Sequence, residues 1–247
     1  MKLFGLIGYP LEHSASPDFF QKKIEKEGIQ DAGYRLFPLK DISELPRLVA
    51  DIPDLAGLNV TSPFKRAVLP YLTRTDPAAA TIGAVNTVKV VRENGETALY
   101  GYNTDYIGFA ESLMEVLPNT PRHALILGTG GAARAIRYAL TGMRCCVATV
   151  SRSPEKGDLT YGELTEAVVR NHPLVVNATP LGMFPDIDTY PDFPYELLTG
   201  NHFLFDLIYN PEETVFLRQG RLRGSGTCNG LAMVHHQAEA SYKIWGL

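Results

Sequence analysis

The sequence predicts an α/β protein of two domains, one of them a Rossmann-type dinucleotide-binding domain. Three observations lead there. The chain has 247 residues, too many for one small domain and enough for two that each bury a core. Short apolar runs bounded by glycine and proline alternate with stretches that read as helices. Near the middle, His123-Ala-Leu-Ile-Leu-Gly-Thr-Gly-Gly-Ala-Ala-Arg-Ala135 carries an apolar strand and then Gly128, Gly130 and Ala133 at the G-x-G-x-x-A positions. Helix formers follow. Such glycines let the chain turn tightly and bring backbone N–H groups close to a pyrophosphate at the helix N-terminus.

The elements before that motif can be taken in order. Lys2 to Ile7 reads as a first strand. Ser16 before Pro17 is a good N-cap with proline at the first helical position, and Gly28 ends the helix. Ser14 is not needed for that cap, so the two hydroxyls are read either as a cap or as a carboxylate cradle beside a helix N-terminus. Tyr34 to Leu39 reads as a strand, Ile42 to Ala50 as a short helix, and Leu55 to Thr61 as a third strand. That strand runs out in Asn59-Val-Thr-Ser-Pro-Phe-Lys65, where Asn59, Thr61 and Lys65 are placed either to meet a ligand or to finish the strand end. Ala84 to Val91 and Thr97 to Tyr102 are strands around an Asn94-Gly95 hairpin signal. Asn86 and Thr87 interrupt the first of these, and a buried polar pair must find partners. Gly101-Tyr-Asn-Thr-Asp-Tyr-Ile-Gly108 then opens a helix through Leu117, with Thr104 or Asp105 at its start.

After the glycine motif, Cys146 to Val150 is a second apolar run ending in Ser151-Arg152-Ser153. An NAD site usually places a carboxylate here for the ribose 2′-hydroxyl. A guanidinium between two hydroxyls instead suits a 2′-phosphate by charge and geometry, which favours NADP, although Glu155 and Asp158 stand nearby. A helix around Glu163 to Arg170, strands Leu174–Ala178 and Phe203–Asp206, a helix from about Glu213, and an amphipathic helix ending at Trp245 complete the chain.

Composition sets outer bounds. Of the residues, 45% are hydrophobic and 20% charged, and the net charge of -4 with no long basic run argues against nucleic acid as a partner. No stretch reads as a membrane span or signal peptide, so the expected location is the cytoplasm. Three cysteines, two of them adjacent at Cys145 and Cys146, give no metal or disulfide pattern. Adjacent His235 and His236 cannot both point at one ion from a helix, so no metal is expected.

A series of segments resembles shikimate dehydrogenases. It comprises His13-Ser-Ala-Ser-Pro17, Asn59-Val-Thr-Ser-Pro-Phe-Lys65, Gly83-Ala-Val-Asn-Thr87 and Gly101-Tyr-Asn-Thr-Asp105. It continues with Gly128-Thr-Gly-Gly-Ala-Ala133, Asn177-Ala-Thr-Pro-Leu-Gly-Met183, Asp206-Leu-Ile-Tyr-Asn-Pro211 and Gly230-Leu-Ala-Met-Val-His-His-Gln237. The segments occur in the family's order and span nearly the whole chain. The resemblance implies a substrate domain over 1–102 plus 229–247 and an NADP-binding domain over 103–228, with the substrate in a cleft between them. It implies carboxylate contacts from Ser14 and Ser16 with Tyr209 helping, and ring-hydroxyl contacts from Thr61, Asn86, Asp105 and Gln237. Lys65 and Asp105 become the catalytic pair. Cofactor contacts become Gly128, Thr129, Gly130, Gly131 and Ala132, then Ser151, Arg152 and Ser153, then Leu207 and Gly230.

The implied reaction is the reversible, NADPH-dependent reduction of 3-dehydroshikimate to shikimate, in the supply of aromatic amino acids. It needs a hydride from the cofactor and a proton for the developing alkoxide, which a lysine can supply. Several positions depart from the family's pattern. Ser151-Arg-Ser replaces the commoner Asn-Arg-Thr, the segment from Arg152 to Val175 is short, Ser62 stands where an apolar residue is usual, and Asn229 precedes Gly230. Rival readings are a quinate or NAD-tolerant relative, a folate-type dehydrogenase of related architecture, and a non-catalytic NADP sensor. Monomer and homodimer both remain open.

Overall fold

Alternation at a period of two sets the first sheet. Along β1 (Lys2–Gly8), Leu3 and Ile7 belong to one apolar cluster and Phe4 and Leu6 to another, so the strand is buried on both faces. The computed structural model describes residues 1–11 and 16–247, with Ser16 by its backbone alone. Ser14 therefore lies outside the described residues, as does the side chain of Ser16. After β1 come α1 (Ser16–Lys26), β2 (Ala32–Pro38), α2 (Leu45–Asp51), β3 (Leu55–Val60) and the single turn α3 (Phe64–Ala67). They are followed by β4 (Arg74–Thr75), α4 (Pro77–Ile82), β5 (Thr87–Glu93) and β6 (Glu96–Tyr102).

These strands make a six-stranded sheet in the order β2-β1-β3-β5-β6-β4. β1 pairs in parallel with β2 and β3, whereas β5 runs antiparallel to both β3 and β6. The β5–β6 turn has Asn94 at φ 53° and Gly95 at φ 81°, the double left-handed turn that the Asn-Gly pair predicts. Two features differ from the sequence reading. The strand expected from Ala84 begins only at Thr87, and α4 with its edge strand β4 was not foreseen. Asp76 caps α4 by accepting from the Ala78 and Ala79 N–H groups at 3.1 and 3.0 Å, and Gly83 ends it at φ 69°.

The remaining elements are α5 (Asp105–Val116), β7 (His123–Leu127), α6 (Gly131–Gly142), β8 (Cys146–Ser151), β9 (Leu159–Thr160) and α7 (Glu166–Asn171). β10 (Leu174–Asn177), β11 (Phe203–Asp206), α8 (Val215–Leu222), β12 (Gly226–Cys228) and α9 (Leu231–Trp245) close the chain. The second sheet is parallel throughout, in the order β12-β11-β10-β7-β8-β9. Counted from β7, that is the 3-2-1-4-5-6 order of a dinucleotide-binding fold. Ala124 and Ile126 of β7 face one cluster, and Leu125 and Leu127 face the other.

The chain divides into two compact units, Met1–Thr104 with Gln237–Leu247, and Asp105–His236. Within the first, α9 contributes Ala238, Tyr242 and Trp245 to a core shared with Phe4, Phe20 and Tyr34. The Trp245 ring stacks on Phe4 at 4.8 Å and its indole N–H donates to the Val88 carbonyl at 3.0 Å. A side chain on Gly57 would collide with that indole. Among the described residues, no helix is long and apolar enough to cross a membrane.

Candidate functional site

In the first unit the polar side chains gather where β3 ends. Because β5 runs antiparallel to β3, its start lies beside that end, with Asn59 opposite Thr87 and Thr87 opposite Tyr102. Backbone bonds lock the three chain ends together. Val60 N–H donates to the Asn86 carbonyl at 2.8 Å, Asn86 N–H to the Tyr102 carbonyl at 3.0 Å, and Val85 N–H to the Lys65 carbonyl at 2.7 Å. Thr61 is fixed in turn by its N–H to the Ile7 carbonyl at 2.9 Å. Thr61 and Lys65, picked from one segment of the sequence, and Asn86, picked from another, thus stand together where the central strands β3 and β5 meet at one end of the sheet. Gln237 reaches the same place from α9, with its Oε1 3.3 Å from Asn86 Nδ2. Lys65 is half-buried on the single turn α3.

Thr104, between this end of the sheet and Asp105, is buried and donates its N–H to Asn86 Oδ1 at 2.6 Å. Asp105 is buried at the first residue of α5 and belongs with the second unit, as does the half-buried Tyr209 on the loop after β11. Asn59, read as a ligand or strand-end residue, and Thr87, read as half of a buried polar pair, belong to a buried network behind Asn86 that also takes in Tyr34 and Ser241, which sequence reasoning missed. Only the polar Asn-Thr pair inside an apolar run hinted at it. At the other end of this sheet lies a cavity of about 670 Å³, lined by Met1, Lys2, Asp31, Asp54, Arg92 and Leu247 among others. It contains no residue that the motifs single out, and the Arg92 guanidinium there is engaged by the Val49 and Leu55 carbonyls.

In the second unit the glycine loop follows β7 at the point where the strand order reverses, between β7 and β10. Gly128 sits at φ 110°, and a Cβ on it would lie 3.1 Å from the Ala178 carbonyl oxygen beyond β10, so only glycine fits. A Cβ on Gly130 would meet nothing within 4 Å. Open space therefore fronts the loop just where α6 begins, and no side chain among the described residues caps that helix. Uncapped N–H groups with open space before them fit a diphosphate.

One strand over, Ser151 closes β8 and its hydroxyl accepts from the Ser153 N–H at 3.1 Å, which folds the turn and leaves Arg152 exposed at its tip. Asp158, one of the carboxylates that kept NAD open, is 43% exposed but engaged by neighbours. Its Oδ2 accepts from the Thr149 N–H, the Thr149 hydroxyl and Arg137, each at 2.8 Å. The other, Glu155, is exposed. The donor set at the end of β8 thus suits a phosphate better than a bare ribose.

The backbones of Leu207 and Gly230 touch. Gly230 N–H donates to the Ile208 carbonyl at 3.0 Å, and a Cβ on Gly230 would collide with the Leu207 carbonyl oxygen. Asn229, unusual at its position, donates to the Glu212 carbonyl and accepts from the Leu231 N–H. Behind Leu207 lies a further residue the sequence did not single out. Asp206 is buried and accepts from Asn177 Nδ2, the Ile208 N–H and the Thr214 hydroxyl at 3.0, 3.1 and 2.6 Å. Burial outweighs those bonds and pushes its carboxyl up to about 6.

The chain is similar to known proteins. Residues 6–88 match the family model described as the shikimate dehydrogenase substrate binding domain. The chain is 39% identical to a shikimate dehydrogenase (NADP(+)) of Desulforamulus reducens, over 98% of this chain and 88% of that protein. It superposes with a TM-score of 0.87 on the shikimate 5-dehydrogenase of Thermus thermophilus in complex with NADP(H) and shikimate, at 32% identity, over 100% of this chain and 94% of that one. A quinate dehydrogenase of Corynebacterium glutamicum in complex with NAD superposes with a TM-score of 0.85 at 28% identity, over 100% and 94% of the two chains.

Proposed function

Because the chain belongs to the shikimate dehydrogenase family, we propose that it interconverts 3-dehydroshikimate and shikimate with NADP as the hydride carrier. The observation that carries this reading is the clustering of Thr61, Lys65, Asn86 and Gln237 at one end of the central strands, a set of donors and acceptors suited to a small polyol. In this reading Thr61, Asn86 and Gln237 hold the ring hydroxyls, and Ser14, Ser16 and Tyr209 hold the carboxylate. Bound NADP supplies the hydride acceptor when shikimate is oxidised. Lys65 takes the proton released from the reacting hydroxyl and returns it in the reduction, and Asp105 orients Lys65 and a neighbouring hydroxyl.

The cofactor contacts follow the same logic. Gly128, Thr129, Gly130, Gly131 and Ala132 receive the diphosphate at the start of α6. Ser151, Arg152 and Ser153 receive the 2′-phosphate, and the paired backbones of Leu207 and Gly230 face the nicotinamide. We assign the activity to the cytoplasm, in a monomer or homodimer, and the net charge of -4 supports a small-molecule substrate rather than nucleic acid.

The test is spectrophotometric. Purified protein should form reduced nicotinamide rapidly from shikimate and NADP, and slowly when quinate replaces shikimate or NAD replaces NADP. Comparable turnover of quinate would move the assignment to the branch represented by the Corynebacterium enzyme. No turnover in any combination, with NADP still bound, would leave a nucleotide sensor.

A further inference from the structure

The turn around Arg152 has a neighbour on the next strand. β9 is the two-residue edge strand of the parallel sheet, with Leu159 beside Val150 and Thr160 beside Ser151. Parallel strands in that register leave the sheet side by side at their carboxyl ends. The chain therefore emerges as Arg152 from β8 and as Tyr161 from β9. The link between them is drawn tight. A Cβ on Gly157 would lie 2.8 Å from the Ser151 Cβ and 2.9 Å from the Leu159 carbonyl oxygen, and the Asp158 N–H donates to the Thr149 carbonyl at 2.9 Å.

Tyr161 is held through both its backbone and its ring. It opens a 3-10 turn, Tyr161–Glu163, in which the Thr160 N–H and hydroxyl both donate to Glu163 Oε2 at 2.7 Å. The half-buried ring packs on the core cluster that contains Val150, Leu164 and Tyr195. Its hydroxyl has no hydrogen-bond partner among the described residues, and the Arg152 guanidinium has neither a hydrogen bond nor an ion pair there. Burial holds the Tyr161 phenol above its ordinary range, the Arg152 charge pulls it back, and the exposed Asp192 carboxylate adds to the rise. At neutral pH the phenol keeps its proton. A donor hydroxyl in the field of a guanidinium suits an anion with several acceptor oxygens, as a phosphate monoester is.

We propose that Tyr161 is a further cofactor-specificity residue, its hydroxyl donating to the 2′-phosphate of NADP beside Arg152. This rests on the reading of the Ser151-Arg152-Ser153 turn as the 2′-phosphate site. It gives the short segment after Arg152 a part in nucleotide choice, because the tight link is what brings the end of β9 to that turn.

The test is nucleotide binding, measured by titration calorimetry on the whole protein. Tyr161→Phe should weaken NADP about tenfold, the worth of one hydrogen bond to a charged group, and leave NAD nearly unchanged. Because the hydroxyl bonds nothing in the fold, the unfolding midpoint of the nucleotide-free variant should match the wild type. Unchanged NADP affinity would overturn the proposal, as would equal losses for NADP and NAD or a lowered midpoint. Arg152→Ala, measured alongside, separates this proposal from the reading beneath it. Selective loss of NADP in Arg152→Ala, with no effect of Tyr161→Phe, would exclude Tyr161 alone from the site. If Arg152→Ala weakens NADP and NAD alike, the turn does not hold the 2′-phosphate and both readings fail.

Discussion

Replacing Lys65 by methionine keeps the length of the side chain and removes its exchangeable proton. In the proposed reaction Lys65→Met should lower kcat on the order of a hundredfold or more while shikimate still binds, as titration calorimetry would show. Near wild-type turnover would take Lys65 out of the chemistry. Asp206 carries a prediction of another kind. Its carboxyl, pushed up to about 6 from an ordinary 3.8, keeps a proton in the folded protein that the unfolded chain gives up between pH 4 and 6. The unfolded state binds fewer protons over that window, so this group's contribution to stability falls as pH rises, by about 3 kcal/mol in all. Asp206→Asn retains the acceptor for Asn177 and Ile208 and cannot titrate. Denaturant unfolding should therefore show the variant gaining on the wild type from pH 4 to pH 7, and a pH-independent gap would contradict the account. Lys65 and Asn86 were legible because polar residues at strand ends stand out against apolar runs. Asp206 and Ser241 were not. Asp206 reads as one more strand-end residue, and Ser241 is 182 positions from its partner Asn59.

Two elements explain what local pattern conveyed and what it hid. The loop between β8 and β9 was read as a phosphate-binding turn around Arg152, and its fold depends on Asp158 reaching back to Thr149 and Arg137. In the proposed reading, the engagement of that carboxylate leaves Arg152 as the group that discriminates between nucleotides. Arg152→Ala should weaken NADP binding far more than NAD binding in fluorescence titrations, and equal losses would refute the assignment. Helix α4 escaped sequence reading because Pro-Ala-Ala-Ala-Thr-Ile shows no amphipathic period over its six residues. Its signals were the caps, Asp76 before and Gly83 after. This short helix delivers the chain to Asn86, so Asp76→Ala should cost about 1 kcal/mol in an unfolding titration, the usual worth of an N-cap. No loss would mean that packing alone holds α4.

For the whole molecule, the order of the parallel sheet could be anticipated from one glycine motif and the strand–helix alternation around it. The mixed sheet could be anticipated only in part, since the Asn94-Gly95 turn encodes the β5–β6 hairpin whereas no local pattern encodes the antiparallel pairing of β5 with β3. Nor does the first unit end where its sequence first leaves it, because Gln237–Leu247 returns to it. A chain stopped after His236 loses Ala238, Tyr242 and Trp245 from the core around Phe4 and Phe20. Hydrogen exchange on that truncated protein should find β1 and β3 unprotected, with β7, β10 and β11 retaining their protection. Full protection of β1 would show that the first unit folds without α9. Trp245 is also the only tryptophan in the chain, and it is buried over Gly57. Indole emission therefore reports on one unit only. A red shift during denaturation marks the opening of the first unit, and the second, which has tyrosines but no indole, unfolds without altering that colour.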